Sequence, residues 1–131
     1  MIVVDTSVWI DFFRDRSTPA VATLVAAVEQ GDDVAITDVI FTEILQGVRS
    51  DRQLRTVERR LDAFDVLRLE TLDDFRRAAM IYRTARRRGL TIRRTSDCLI
   101  ASVCIREAIP LLHTDADFDR LASCTKLVVV Q

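Results

Sequence analysis

Four acidic residues stand where a folded chain could bring them together: Asp5, Glu43, Asp97 and Asp115. Carboxylates that converge repel one another, and some would protonate unless a cation compensated their charge. Oxygen ligands select hard cations, so we expect Mg²⁺, with Mn²⁺ as the alternative ion. A metal held by carboxylates can lower the pKa of a bound water and stabilise charge on a leaving phosphate oxygen. The acidic residues therefore indicate metal-dependent cleavage of a phosphate ester.

Each of these acids also has a simpler interpretation when it is taken alone. Asp97 could be a first-turn acid that the helix dipole favours. Asp115 and Asp117 could be turn or cap residues, and Glu43 could lie on the surface. Asp5 resists such an interpretation because it directly follows an apolar strand, where an unpaired charge is costly. A shared site explains Asp5 best.

The predicted elements would place these acids at one edge of a sheet. Short apolar strands alternate with helical segments, a pattern typical of a parallel sheet covered on both faces, so we predict a three-layer α/β/α sandwich. Ligands of such folds bind beyond the carboxyl ends of the strands, where Asp5 and Asp115 follow their strands. The predicted strands are residues 2–4, 34–36, 66–69, 111–113 and 127–130.

Helices are predicted from apolar residues at helical spacing, from cap residues and from glycine stops. Glu43 falls in a helix that Thr37 or Asp38 can cap. Asp97 falls in the first turn of a helix that Thr95 or Ser96 can cap. The predicted helices are a short one around residues 9–13, then 21–30, 39–46, 52–63, 72–88, 97–108 and 117–122.

Composition limits the class of protein. The 131 residues are 49% hydrophobic, as expected of one compact domain with a real core. The formal net charge of −1 gives no overall attraction for nucleic acid, so any such binding needs a local patch. One histidine, His113, and three scattered cysteines make a zinc site improbable on residue types alone. We expect His113 to be structural.

The location of the protein is also an expectation from composition. The odd cysteine count predicts free thiols in a reducing compartment. The N-terminus has no basic segment followed by a long apolar run, and no window reaches the roughly 20 apolar residues of a membrane helix. We therefore expect a soluble, cytoplasmic protein without a membrane partner.

Four segments, in this order, resemble the VapC toxins of VapBC toxin–antitoxin systems, which are PIN-domain ribonucleases. No single segment is specific, but together they span nearly the whole chain with compatible spacing. The resemblance implies one PIN domain over residues 1–131 with a PIN-like fold. The segments are Ile2-Val3-Val4-Asp5-Thr6-Ser7-Val8-Trp9-Ile10, Thr42-Glu43-Ile44-Leu45-Gln46-Gly47, Thr95-Ser96-Asp97-Cys98-Leu99-Ile100-Ala101 and Leu111-Leu112-His113-Thr114-Asp115-Ala116-Asp117-Phe118.

The resemblance also implies roles for individual residues. Asp5, Glu43, Asp97 and Asp115 would form the acidic catalytic site, with Asp117 as a possible fifth member. The implied metal ligands are Asp5, Asp97 and Asp115, while the choice between Asp115 and Asp117 as the nearer ligand stays open, as does the number of ions. Residues that would orient the acids or contact the substrate phosphate are Thr6, Ser7 and Thr114.

The partners implied by the resemblance are an RNA substrate, a cognate VapB-type antitoxin and a second copy in a homodimer. Such toxins cut single-stranded or loop RNA and leave a 5′-phosphate, and no DNA binding is expected of the chain by itself. Arg93 and Arg94, at the end of a basic stretch that begins at Arg83, could contact RNA or antitoxin. Trp9 is either a core residue or part of the groove that takes the antitoxin.

Two other functions compete with the ribonuclease. A receiver-like signalling domain would also use an acidic Mg²⁺ pocket, but it needs a lysine after the last strand, and Lys126 precedes that strand. A catalytically silent PIN-fold interaction module would have lost some of the acids, whereas this sequence keeps all of them.

Overall fold

The computed structural model describes residues 1–130, and its centre is a parallel sheet. β1 lies between β2 and β4, and β3 pairs with the outer side of β2, so the order is β3-β2-β1-β4. All three pairings are parallel. The strands are β1 Ile2–Val4, β2 Val34–Thr37, β3 Asp65–Leu67 and β4 Leu111–Leu112.

Seven helices lie within residues 1–130 and cover the sheet. Side-chain caps begin several of them: Asp5, Thr18, Thr37, Ser50 and Asp115 each accept a hydrogen bond from a backbone N–H of the first turn. The helices are α1 Thr6–Phe13, α2 Pro19–Glu29, α3 Asp38–Gly47, α4 Asp51–Leu61, α5 Leu72–Arg87, α6 Thr95–Glu107 and α7 Ala116–Cys124.

The core explains why the strands are so apolar. Val3, Val4, Ala35 and Ile36 are fully buried because helices shield the sheet from solvent. The predicted α/β/α sandwich with a mainly parallel sheet is therefore confirmed, and the described sheet is parallel throughout. No helix between residues 1 and 130 is long and apolar enough to cross a membrane.

Two predicted strands differ from the structure by one residue, since β2 continues to Thr37 and β4 ends at Leu112. Two others differ more. β3 covers Asp65–Leu67, whereas residues 66–69 were expected, because it extends only as far as its backbone pairs with β2. The strand predicted at residues 127–130 is reduced to one bridge, in which Val129 lies parallel to Leu111. The apolar residues at this end of the chain indicated burial, but they did not show how many of them pair with β4.

The start of α6 is also different. Arg94, not Thr95 or Ser96, is the N-cap residue, and its side chain makes no capping hydrogen bond. The prediction of a Thr95 or Ser96 cap was wrong. Thr95 is the first helical residue, and the Ser96 hydroxyl is used elsewhere, as described below.

The sheet places the acids as parallel strands require. β1 and β4 are neighbours, and the Asp5 amide donates to the Leu112 carbonyl at 2.9 Å. Asp5 and the segment that leads to Asp115 therefore leave the sheet at the same edge.

Candidate metal centre

Three acids meet at the carboxyl edge of the sheet. One carboxylate oxygen from each of Asp97, Asp115 and Asp117 lies within 4.8 Å of the others. Asp97 is in the first turn of α6, Asp115 caps α7, and Asp117 is in the first turn of α7. Both helix N-termini favour negative charge, which offsets part of the repulsion between the carboxylates.

Asp97 is the least compensated of the three acids. Its side chain is 3% exposed, and its Oδ2 atom is buried without a hydrogen-bond partner among the described residues. The nearest cation is the Arg94 guanidinium, whose Nε lies 3.7 Å from this oxygen. Burial, with smaller contributions from the charges of Asp5, Asp115 and Asp117, raises the pKa of Asp97 to about 7 against the opposing effect of Arg94. A buried, unpaired oxygen among acids is suited to a metal ion.

Asp5 is held beside this group by its own helix. Its Oδ2 accepts hydrogen bonds from the Ser7 hydroxyl at 2.7 Å and the Ser7 amide at 3.3 Å. Burial raises the pKa of Asp5, although the Ser7 hydrogen bonds oppose this shift. The carboxylate of Asp5 is not one of the three within 4.8 Å, but its charge contributes to the raised pKa of Asp97.

Glu43 is fixed by hydroxyl groups from two other helices. Thr6 Oγ1 donates to Glu43 Oε1 at 2.8 Å, and Ser96 Oγ donates to Oε2 at 3.4 Å. These hydrogen bonds join α1, α3 and α6 at the site. The role of Ser96 was missed at the sequence level, where it served only as a possible cap, although it directly precedes Asp97.

Asp115 accepts hydrogen bonds from the backbone and from two arginines. The Asp117 amide and Arg93 Nη2 donate to Oδ1 at 3.0 and 3.3 Å, and Arg94 Nη2 donates to Oδ2 at 2.5 Å. His113 Nδ1 accepts from the Asp115 amide at 3.1 Å, which fits its expected structural role.

Asp117 is fully buried and fully paired. Its Oδ2 accepts from the amide and Nε of Arg93 at 3.3 and 3.2 Å, and its Oδ1 accepts from Arg120 Nη1 at 2.6 Å. Burial alone would raise the pKa of Asp117, but the hydrogen bonds from Arg93 and Arg120 outweigh it and lower the pKa. Arg120 was missed by sequence reasoning, and its only signal was its position three residues after Asp117 on a helix.

Four of the predicted contact residues are Trp9, Arg93, Arg94 and Thr114. Trp9 is 1% exposed and its indole N–H donates to the Val4 carbonyl at 3.0 Å, so it lies in the core, which is one of its two interpretations from the sequence. Arg93 and Arg94 point into the acids, with side chains 66% and 56% exposed. Thr114 is exposed and makes no hydrogen bond to an acid within residues 1–130.

A second concave surface lies between α1, α3 and α4. The groove has a volume of about 750 Å³ and combines apolar and basic side chains. Arg60 also stacks over the rings of Phe12 and Phe13, 5.0 Å from each centroid. We call this surface the arginine groove; its apolar lining is Ile10, Phe13, Ile44, Val48 and Val57, and its basic lining is Arg14, Arg16, Arg49, Arg52 and Arg60.

The PIN domain profile matches residues 2–123, nearly the whole chain. This chain belongs to the PIN-domain family. Membership confirms the resemblance noted in the sequence and speaks against the receiver-like alternative. A PIN-domain relative, ribonuclease VapC11 of Mycobacterium tuberculosis, is 41% identical over 128 residues, which cover 97% of this chain and 96% of the relative. Ribonuclease VapC51 of the same organism is 32% identical, over 94% of this chain and 86% of its own.

Solved structures of PIN-domain toxin–antitoxin proteins share the fold. VapBC2 from Rickettsia felis, bound to a DNA fragment from its promoter, has a chain that superposes with a TM-score of 0.79 at 16% identity, covering 99% of this chain and 98% of that one. VapBC-1 from nontypeable Haemophilus influenzae gives a TM-score of 0.75 at 20% identity, covering 100% and 98%. At such identities the likeness establishes the PIN fold alone.

Proposed function

We propose that this PIN domain is a metal-dependent endoribonuclease and the toxin of a VapBC pair, with Mg²⁺ as its ion and Mn²⁺ as a substitute. Two observations together carry the proposal: one carboxylate oxygen from each of Asp97, Asp115 and Asp117 lies within 4.8 Å of the others, and the buried Oδ2 of Asp97 has no hydrogen-bond partner among the described residues. The ribonuclease names of relatives at 41% and 32% identity support the choice of substrate.

Asp5, Asp97 and Asp115 are the proposed metal ligands. All three offer carboxylate oxygens, as Mg²⁺ and Mn²⁺ prefer, and the buried Oδ2 of Asp97 accepts no hydrogen bond from any described residue. Both oxygens of Asp117 are already hydrogen-bonded to arginines, so we propose that Asp117 holds Arg93 and the α7 N-terminus in place. Asp115 also accepts hydrogen bonds from two arginines, but its side chain is 13% exposed whereas that of Asp117 is fully buried. We therefore propose Asp115 as the nearer ligand.

A metal ion held there would supply Lewis-acid activation of water and neutralise charge at the scissile phosphate. The chain itself orients the participating groups. Glu43, fixed by the Thr6 and Ser96 hydroxyls, is positioned to accept a proton or a hydrogen bond at the site. Ser7 holds Asp5 in one orientation, so the first ligand is set before substrate arrives.

The experiment that tests this function is cleavage of a total-RNA pool by the purified protein. With Mg²⁺ we expect cuts at a few discrete sites that carry 5′-phosphates. EDTA, Asp5→Asn or Asp97→Asn should each lower the rate by about a thousandfold or more, because a catalytic metal supplies several kcal/mol of transition-state stabilisation. Asp73→Asn, which changes an exposed acid of α5, is the matched control and should cleave as wild type does.

The other outcomes separate the alternatives. Cleavage that survives EDTA and both substitutions would exclude the acidic site as its source. Absence of cleavage by folded, antitoxin-free protein would favour the catalytically silent PIN-fold interaction module. The homodimer, the cytoplasmic location, the single domain over residues 1–131 and the lack of DNA binding by the chain alone stay predictions.

We further propose that a VapB-type antitoxin binds the arginine groove. The groove presents five arginines around an apolar floor, and its lining includes no acid among the described residues. A segment with alternating apolar and acidic residues would complement both properties. α1 forms one wall of the groove and also carries Thr6 and Ser7, so a bound segment would lie next to the acidic site.

Charge reversal at the groove tests this partner. Arg52→Glu should weaken binding of the cognate antitoxin by about tenfold or more, since it places like charges together in the interface. Arg55→Glu makes the same change on the same helix but outside the groove, and it should leave affinity unchanged. Titration calorimetry of each variant with the antitoxin gives the dissociation constants. Equal affinities for both variants and wild type would place the antitoxin elsewhere.

A further inference from the structure

Acids and arginines alternate through the candidate metal centre. Arg94 lies between Asp97 and Asp115, Arg93 lies between Asp115 and Asp117, and Arg120 contacts the far side of Asp117. The three arginines therefore contribute positive charge to the group of oxygens that a divalent ion would use.

The arginines differ in which acids they contact. Among the acids of residues 1–130, Arg120 pairs with Asp117 alone, and both oxygens of Asp117 already accept hydrogen bonds. Arg94 instead contacts the two proposed ligands, with Nη2 at 2.5 Å from Asp115 Oδ2 and Nε at 3.7 Å from Asp97 Oδ2. Its guanidinium thus donates a hydrogen bond to Asp115 and lies close to the Asp97 oxygen that accepts no hydrogen bond.

Arg94 is also able to move. Its side chain is 56% exposed, and it makes no capping hydrogen bond at the start of α6. Rotation of the side chain into solvent would break its ion pairs with Asp97 and Asp115 without opening a cavity in the core. The carboxylates stay in place at 3% and 13% exposure while the guanidinium can leave into water, so a divalent cation can take its position beside them.

We propose that the Arg94 guanidinium is an internal counter-cation that neutralises Asp97 and Asp115 in the metal-free protein and is displaced when a divalent ion binds. This inference rests on the proposed metal site. The two cations compete because they need the same carboxylate oxygens and repel each other at short range. Arg94 is therefore a positioning residue whose charge lowers the affinity of the site for metal.

Calorimetric titration of the full chain with Mn²⁺ at low ionic strength tests the competition. Arg94→Gln should bind Mn²⁺ more tightly than wild type, by on the order of tenfold to a hundredfold, because it removes the competing charge. Arg94→Lys keeps the charge and should bind close to wild type. The Mn²⁺-induced rise in Tm should be larger for Arg94→Gln than for wild type, and circular dichroism of the metal-free variants verifies that each is folded.

Arg120→Gln is the matched control, since it removes one positive charge from the same cluster without touching a proposed ligand. A clearly smaller gain for Arg120→Gln supports displacement of Arg94. Equal gains for both variants would indicate a general charge effect and overturn the inference, as would an unchanged affinity of Arg94→Gln. If wild type and all variants fail to bind Mn²⁺, the proposed metal site is overturned together with the inference.

Discussion

The Asp97→Asn variant is expected to be more stable than wild type in metal-free buffer at pH 7, by on the order of 2–4 kcal/mol. Burial raises the pKa of Asp97 from 3.8 to about 7, so ionisation of this group is far costlier in the folded chain than in the unfolded one. Asparagine removes that ionisation. Chemical denaturation in the presence of EDTA measures the difference in free energy of unfolding.

The sign of the pH dependence follows from the same raised pKa. Between pH 3.8 and about 7 the folded protein keeps a proton on Asp97 that the unfolded chain has lost. Stability contributed by this group is therefore fully present at low pH and declines as pH rises through this window. Asp5, whose pKa burial also raises, changes stability in the same direction. The difference between wild type and Asp97→Asn should vanish near pH 4.

Addition of Mg²⁺ should reverse the order of stability. Bound metal stabilises the ionised carboxylates of wild type, while the variant has lost a ligand and gains little. Asp73→Asn, an exposed substitution, serves as the control and should follow wild type at every pH. A variant less stable than wild type in EDTA at pH 7 would show that burial does not disfavour the ionised form of Asp97.

Replacement of Trp9 by alanine is expected to destabilise the fold by about 3–5 kcal/mol. The indole is 1% exposed and donates to the Val4 carbonyl at the end of β1. It stacks on Phe13 at 5.9 Å between ring centroids and packs against the tilted ring of Phe64 at 4.9 Å. Its removal leaves a cavity and takes one hydrogen bond from the Val4 carbonyl, next to Asp5. Such a loss is a large part of the 5–15 kcal/mol that stabilises a typical domain.

Two controls distinguish core from contact surface at this position. Trp9→Phe keeps the ring contacts but loses the N–H donor, so it should cost about 1–2 kcal/mol. Leu72→Ala truncates a side chain that is 77% exposed and should change stability by less than about 0.5 kcal/mol. Thermal unfolding of the three variants gives the ranking. A Trp9→Ala protein as stable as wild type would restore Trp9 as a surface anchor for a partner.

The packing of Trp9 and the position of the acids around Asp97 are connected through β1 and α1. The Trp9 indole fixes the end of β1, β1 delivers Asp5, and the α1 N-terminus brings Thr6 to Glu43. The site is therefore built on rigid elements, and core packing sets the orientation of its acids.

The sequence by itself determined the architecture and the acids. The spacing of apolar residues along the chain distinguishes short apolar strands from amphipathic helices. Parallel strands point the same way, so their carboxyl ends lie at one edge of the sheet. Asp5 after β1 and Asp115 after β4 could therefore be assigned to one site without coordinates. The motif that contains Asp97 could be assigned because a first-turn acid and its neighbours are local features of a helix.

Tertiary structure alone decided how those acids are compensated. Local periodicity does not report contacts over long separations, so it could not show that Ser96 donates to Glu43 or that Arg93 donates to Asp117. For the same reason the sequence could not decide whether Trp9 is a core residue or part of the groove that takes the antitoxin. Whether Arg94 reached outward to RNA or inward to Asp97 and Asp115 depended on the distance between α6 and α7, which only packing fixes.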